Sequence, residues 1–167
     1  MKEFEIEIGG LTKEALLKKL AAHNIEINPL GEKLLQSELL QISEMKKTVT
    51  LTKLTIHELG LPTGKTGLLD IIGKAYEVGL EACLPEVALF LRLASFNDTQ
   101  SYGFEKKSRT PHGSVTVVSE ILDEDPDFPK GFYLRKVDEN YWLRGYTCDY
   151  EHQFSLDETF IFMSRIK

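Results

Sequence analysis

Two extended runs, Phe132–Val137 and Tyr141–Thr147, are separated only by Asp138, Glu139 and Asn140. Parallel neighbours need a crossover of a dozen or more residues, so a link this short can join only antiparallel strands. This hairpin constrains the fold more than any other feature of the chain. Further strand patterns surround it. Tyr102–Lys107 and Ser114–Leu122 read as extended, and Thr159–Ile166 is an apolar strand near the chain end. Near the start, Glu3, Phe4, Glu5, Ile6, Glu7 and Ile8 alternate strictly, one face charged and one apolar. Residues 46–58 are rich in Thr, Val and Ile without a breaker and read as one strand.

Helical signals lie earlier in the chain. Thr12 is a capping residue before the stripe Leu16, Leu17, Leu20 and Ala21, and Asn24 is a left-handed stop. Asn28-Pro29 is a cap and first-turn pair that opens a short helix with Leu30, Leu34 and Leu35 on one face. The two together outline a helix-turn-helix over 12–35. A base-reading second helix would present Glu32, Lys33, Gln36 and Ser37, of which only Lys33 is basic, so plain helix packing is expected. A third amphipathic helix follows Gly67 and ends at Gly79. Leu89–Ala94 fits a strand or a helix. The expected fold is α+β: a mostly antiparallel sheet of about five to seven strands, with about three helices mainly in the N-terminal half and packed on one side. Residues 1–167 are expected to form one domain with a soft boundary near 60–64, between lobes 1–60 and 61–167.

Composition narrows the function classes. The 167 residues carry 26 acidic and 20 basic side chains, a net charge of -6. That balance makes nucleic acid an unexpected partner, because backbone affinity comes from counterion release by Lys and Arg. Cys83 and Cys148 are isolated and are expected to be reduced thiols. MKEFEIEIGG lacks the apolar run of a signal peptide, and no other run approaches a membrane span. The expectation is a cytoplasmic protein without membrane, metal or cofactor.

One stretch invites a nucleotide-binding reading. Gly60-Leu-Pro-Thr-Gly-Lys-Thr-Gly67 comes close to a phosphate-binding loop, in which Lys65 would reach a phosphate and Thr66 a magnesium ion. The loop is one residue short, and Pro62 removes an N–H from the cradle. No strand supplies the companion aspartate, since only Ile121 and Leu122 precede Asp123. The stretch is therefore expected to be a loop that starts a helix.

Other chemistry is sparse. None of the four histidines lies at a metal-pair spacing, and the acidic run Glu120–Asp127 lacks the ligand spacing of a calcium loop. Nothing around Cys83 marks a nucleophile, and it reads as a buried thiol. Arg92 sits inside an apolar run and needs a partner if buried, with Glu86 or Asp98 as candidates. Arg92, Asp98, Gln100 and Tyr102 form a candidate ligand-binding cluster, beside the basic stretch Lys106-Lys107-Ser-Arg109. The hairpin carries Tyr133 and Arg135 opposite Trp142 and Arg144, the composition of an interaction surface.

The run Gly79–Glu86, then Leu91-Arg92-Leu93, then Asn97-Asp98-Thr-Gln100, resembles a small bacterial protein family with no established activity. Leu59-Gly60 and Trp142-Leu143 extend the resemblance over about residues 48–145. It implies no catalytic residues, and it implies that Leu89–Phe96 is a strand entering a hairpin. Thr99 separates Asp98 from Gln100 where adjacency is expected in such sequences. The reading that follows is a non-enzymatic module that binds another protein through its hairpin. A small enzyme or nucleic-acid-acting protein at Arg92/Asp98/Gln100 stands second, and nucleotide binding at Lys65 and Thr66 third.

Overall fold

A computed structural model of the chain describes residues 1–94 and 114–165. Its elements run β1 (Lys2–Ile8), α1 (Lys13–Ala22), β2 (Glu26–Ile27), α2 (Pro29–Gln36), β3 (Lys47–Thr55), α3 (Ile56–Leu59), α4 (Leu68–Glu77), β4 (Leu80–Glu81), α5 (Val87–Ala94), β5 (Val115–Val117), β6 (Gly131–Val137), β7 (Asn140–Tyr146) and β8 (Thr159–Ser164). The eight strands form one sheet in the order β1-β3-β8-β5-β6-β7-β2, with β4 also paired to β8. Only β5–β8 and β2–β7 are parallel. The α+β class with a mostly antiparallel sheet is as expected, but strands and helices are more numerous. β2 and β4 have two residues each and α3 has four, too few to leave a periodic signal.

Local chemistry sets several boundaries. Thr12 accepts from the Ala15 N–H at 3.0 Å and starts α1, and Asn24, at φ 57°, stops the chain beyond it. β2 follows, so the helix-turn-helix outline over 12–35 is interrupted by a strand. The strand expected over 46–58 ends at Thr55, whose hydroxyl and Glu58 form a reciprocal cap that turns the chain into α3. Val87–Ala94 is a helix, which corrects the strand implied for Leu89–Phe96. Apart from Arg92 its run is apolar, so alternation and helical spacing coexist, and packing of Val87, Ala88 and Leu91 against the core decides. The Tyr102–Lys107 strand lies outside the described residues.

The helices cover both sheet faces, not one. On β8, Ile161 and Met163 face one way and Phe160 and Phe162 the other, because side chains alternate along a strand. The first pair joins a core with Ile6, Ile8, Leu51, Leu134 and Leu143 under α1, α2 and α5. The second pair joins Leu54, Val118 and the α3–α4 side chains Ile56, Leu59, Ile71 and Ala75. Strands from both sides of the soft boundary at 60–64 pair directly, β3 with β8. No helix among the described residues is long and apolar enough to cross a membrane.

At the far edge, Asn28 serves two elements at once. Its Oδ1 accepts from the Gly31 N–H at 2.8 Å, which caps α2, and from the Gly145 N–H at 2.7 Å. Its Nδ2 donates to the Gly145 carbonyl at 3.0 Å. The side-chain amide therefore continues the β7 ladder where β2 has ended. Gly145 must be glycine here, since a Cβ would lie 2.5 Å from the Gly31 nitrogen. Asn28→Ala is expected to cost about 2–3 kcal/mol in urea denaturation, from the lost cap and the unpaired Gly145 groups. Asn28→Ser restores the cap alone and is expected to recover about 1 kcal/mol of that. Full recovery by serine would remove the ladder role.

Candidate functional site

The register of the β6–β7 hairpin builds one candidate surface. Tyr133 pairs with Arg144 and Arg135 with Trp142, while Leu134 and Leu143 alternate to the core side. All four candidate side chains thus project from the sheet face opposite α2 and α5. Each is partly exposed. The Arg144 guanidinium lies 4.8 Å from the Trp142 ring centre and 5.9 Å from that of Tyr133, and its Nε donates to the Tyr133 hydroxyl at 2.8 Å. These contacts hold a long, flexible cation in one place. Arg135 Nε is buried and has no hydrogen-bond partner among the described residues.

Toward β5 the same face slopes into a cavity of about 430 Å³. Thr116, Tyr133 and Tyr146 form its sheet side, and the segment after β7 forms a wall with Cys148, Asp149, His152, Phe154 and Glu158. The wall is folded by local bonds. Asp149 Oδ1 accepts from the backbone N–H groups of Glu151 and His152 at 2.9 and 2.8 Å. The His152 ring stands edge-on to Phe154, at 4.6 Å between centres, and Phe154 stands edge-on to Phe160, at 5.3 Å. The cavity wall is thereby tied to the α3–α4 core.

Burial changes the acid–base character of this cavity. The Glu158 carboxyl is raised above its ordinary value chiefly by burial, against the opposing Ser155 N–H bond and the nearby His152. The Cys148 thiol is raised by burial and by Asp149, so it stays protonated at neutral pH and donates to the Asp149 carbonyl at 3.2 Å. Burial also raises the Tyr146 hydroxyl. A protonated thiol is a poor nucleophile.

Arg92 is fully buried on the other face of the hairpin. Its guanidinium lies 5.0 Å from the Tyr141 ring centre, and Nη1 donates to the Trp142 carbonyl at 3.3 Å. Burial lowers its pKa to about 10. Glu86 is occupied elsewhere, accepting from the backbone N–H and the hydroxyl of Ser43. Asp98, Gln100, Tyr102 and the basic stretch Lys106–Arg109 lie outside the described residues. The described part of this cluster and the hairpin quartet are therefore on opposite sheet faces.

In the glycine-rich loop, the three N–H groups that would cradle phosphate are already engaged. Lys65 N–H bonds the Pro62 carbonyl at 3.1 Å, Thr66 N–H the Gln153 Oε1 at 2.8 Å, and Gly67 N–H the Asp70 carboxylate at 3.2 Å. The Thr66 side chain is buried, and its hydroxyl donates to the Phe154 carbonyl at 2.7 Å. The loop docks the start of α4 onto the cavity wall. The acidic run has a similar role: the Asp123 and Asp125 carbonyls each accept from the buried Lys130 ammonium at 2.7 Å. Cys83 is fully buried, and burial raises its thiol.

Sequence reasoning missed the cavity residues Tyr146, Cys148, Asp149, His152 and Glu158. Their one signal is the density of acidic and aromatic side chains in Cys148–Glu158, between two strand patterns. Comparison of the chain with family models, curated proteins and solved structures finds no match.

Thr66→Val removes a buried hydroxyl bond while keeping shape, and should cost about 1–2 kcal/mol of stability. Lys65→Ala, at an exposed position, should stay within about 0.5 kcal/mol of the wild type. A larger loss for Lys65→Ala would restore a special role for that lysine. For Glu158, the folded-state pKa lies above the ordinary 4.5, so its stability contribution is complete below that value and is lost as pH rises through the folded pKa. Glu158→Gln keeps the acceptor for Ser155 and removes this loss. Melting temperatures between pH 4 and 7 should rise relative to wild type as pH increases, and equal slopes for the two proteins would contradict the assignment.

Proposed function

We propose that this protein is a non-enzymatic binding module that docks another protein on the outer face of the β6–β7 hairpin. The observation that carries the reading is the projection of Tyr133, Arg135, Trp142 and Arg144 from one sheet face left open by the helices. Among the described residues, the helices packed on β6 and β7 are α2 and α5, both on the opposite face. Aromatic and arginine side chains dominate the energetics of protein interfaces, because they bury much area and satisfy partners with little ordering cost. The partner chemistry follows from the patch. Trp142 offers an apolar platform, and the two guanidinium groups favour a segment with acidic side chains beside an apolar one.

The competing readings have less support. Arg92 spends its guanidinium on Tyr141 and the Trp142 carbonyl, so a ligand must displace protein contacts to reach it. Phosphate at Lys65–Gly67 must break three bonds that fix the loop. The test is capture of partners from the source cell on immobilised protein, with the double variant Trp142→Ala/Arg144→Ala as comparison. Each truncation is expected to weaken a partner docked here by about 2 kcal/mol, roughly thirtyfold. Far-ultraviolet circular dichroism and melting temperature verify that the variant is folded. Retention of every captured partner by the folded double variant would overturn the proposal. Trp142 is the only tryptophan, so its fluorescence should change when an isolated partner is titrated in.

A further inference from the structure

We propose that the cavity beside the hairpin is a binding site for a compact organic cation, an alkylated ammonium of choline size. The site differs in ligand class from the protein-docking face, although Tyr133 borders both. Its volume of about 430 Å³ lies in the range of small-molecule pockets. Its lining contains the carboxylates of Asp127, Asp149 and Glu158 and no lysine or arginine.

The cations nearest the site are held by protein partners, although the Lys130 charge still reaches Cys148 in the lining. The Lys130 ammonium donates to the Asp123 and Asp125 carbonyls, and Arg144 is held by Trp142 and Tyr133. The aromatic walls supply the second half of the recognition. The Tyr133 and Tyr146 rings lie 6.5 Å apart, tilted at 50°, on the sheet, and His152 and Phe154 pack together on the wall. Ring faces attract a cation electrostatically and gain most where water is excluded. Carboxylates lining the same cavity favour positive charge over a neutral molecule of the same shape. A metal ion suits the site less well. Among the described residues no group of three or more His, Cys, Asp or Glu side chains is placed to hold one.

Choline and its neutral carbon isostere, 3,3-dimethylbutan-1-ol, differ in the charge at one atom and test the site directly. Titration of each into the full chain, followed by calorimetry and by the proton resonances of the aromatic rings, is expected to show choline binding at least about tenfold more tightly. Glu158→Gln and Tyr133→Leu are each expected to weaken choline by about tenfold while the fold is retained. Glu158→Gln is informative because a loss of affinity with raised thermal stability separates ligand recognition from structural damage. Equal binding of the alcohol, absence of binding by both probes, or unchanged choline affinity in Glu158→Gln would each overturn the proposal. Preferential binding of acetate over choline would also overturn it and would point to Arg144 as an anion site. Glu158→Gln lies outside the docking face, so its effect on choline is separate from partner docking, which Trp142→Ala/Arg144→Ala reads.

Discussion

β8 is buried on both of its faces, and the rest of the architecture follows from that condition. Ile161, Phe160 and Phe162 are each almost fully removed from water. Burying one such side chain contributes about 2 kcal/mol, but only if a second layer covers each face. α1, α2 and α5 cover one face and α3 and α4 the other. The second cover is the smaller. It lies over β3 and β8, and it leaves the corresponding face of β6 and β7 to side chains that tolerate water. Among the described residues, the helix-free hairpin face is a consequence of where the small cover ends.

Buried polar groups tie the loops to this frame. Lys130, Glu86 and Thr66 are all almost fully buried, and each binds a segment that lacks regular structure. Lys130 gathers the acidic run, Glu86 holds Ser43, and Thr66 holds the wall at Gln153 and Phe154. Asn28 does the same at the sheet edge, where its amide replaces a missing strand residue. Such groups are costly to leave unpaired in the interior, so each fixes a loop in one position. The cavity keeps its shape because its wall is anchored in this way at Thr66, Asp149 and the Phe154–Phe160 contact.

The two proposed surfaces meet at Tyr133. Its hydroxyl accepts from Arg144 on the hairpin side, and its ring borders the cavity on the other. The positive character of the hairpin face and the negative character of the cavity are thus separated by one side chain.

The sequence by itself determined that the hairpin is antiparallel, because so short a link allows nothing else; its register came from the structure, where Val137 pairs with Asn140, the link shrinks from three residues to Asp138 and Glu139, and Trp142 and Arg144 thereby share a face with Arg135 and Tyr133. It also determined the caps at Thr12 and Asn28 and the helix ending at Gly79, where local backbone chemistry suffices. The glycine-rich loop could be doubted from its length and Pro62, but the bonds that occupy its N–H groups come from Gln153 and Asp70, one of them 87 positions away. Tertiary structure decided the rest. Apart from Arg92, Val87–Ala94 is apolar at every spacing that periodicity could measure, so only its place between strands and helices made it a helix. The second cover arose from α3, too short to announce itself, and from β8, whose alternate residues are all apolar and carry no inside or outside. The cavity joins Thr116 and Tyr133 to Glu158 across three separate segments, and such a convergence is a property of the packed sheet that no local stretch of residues contains.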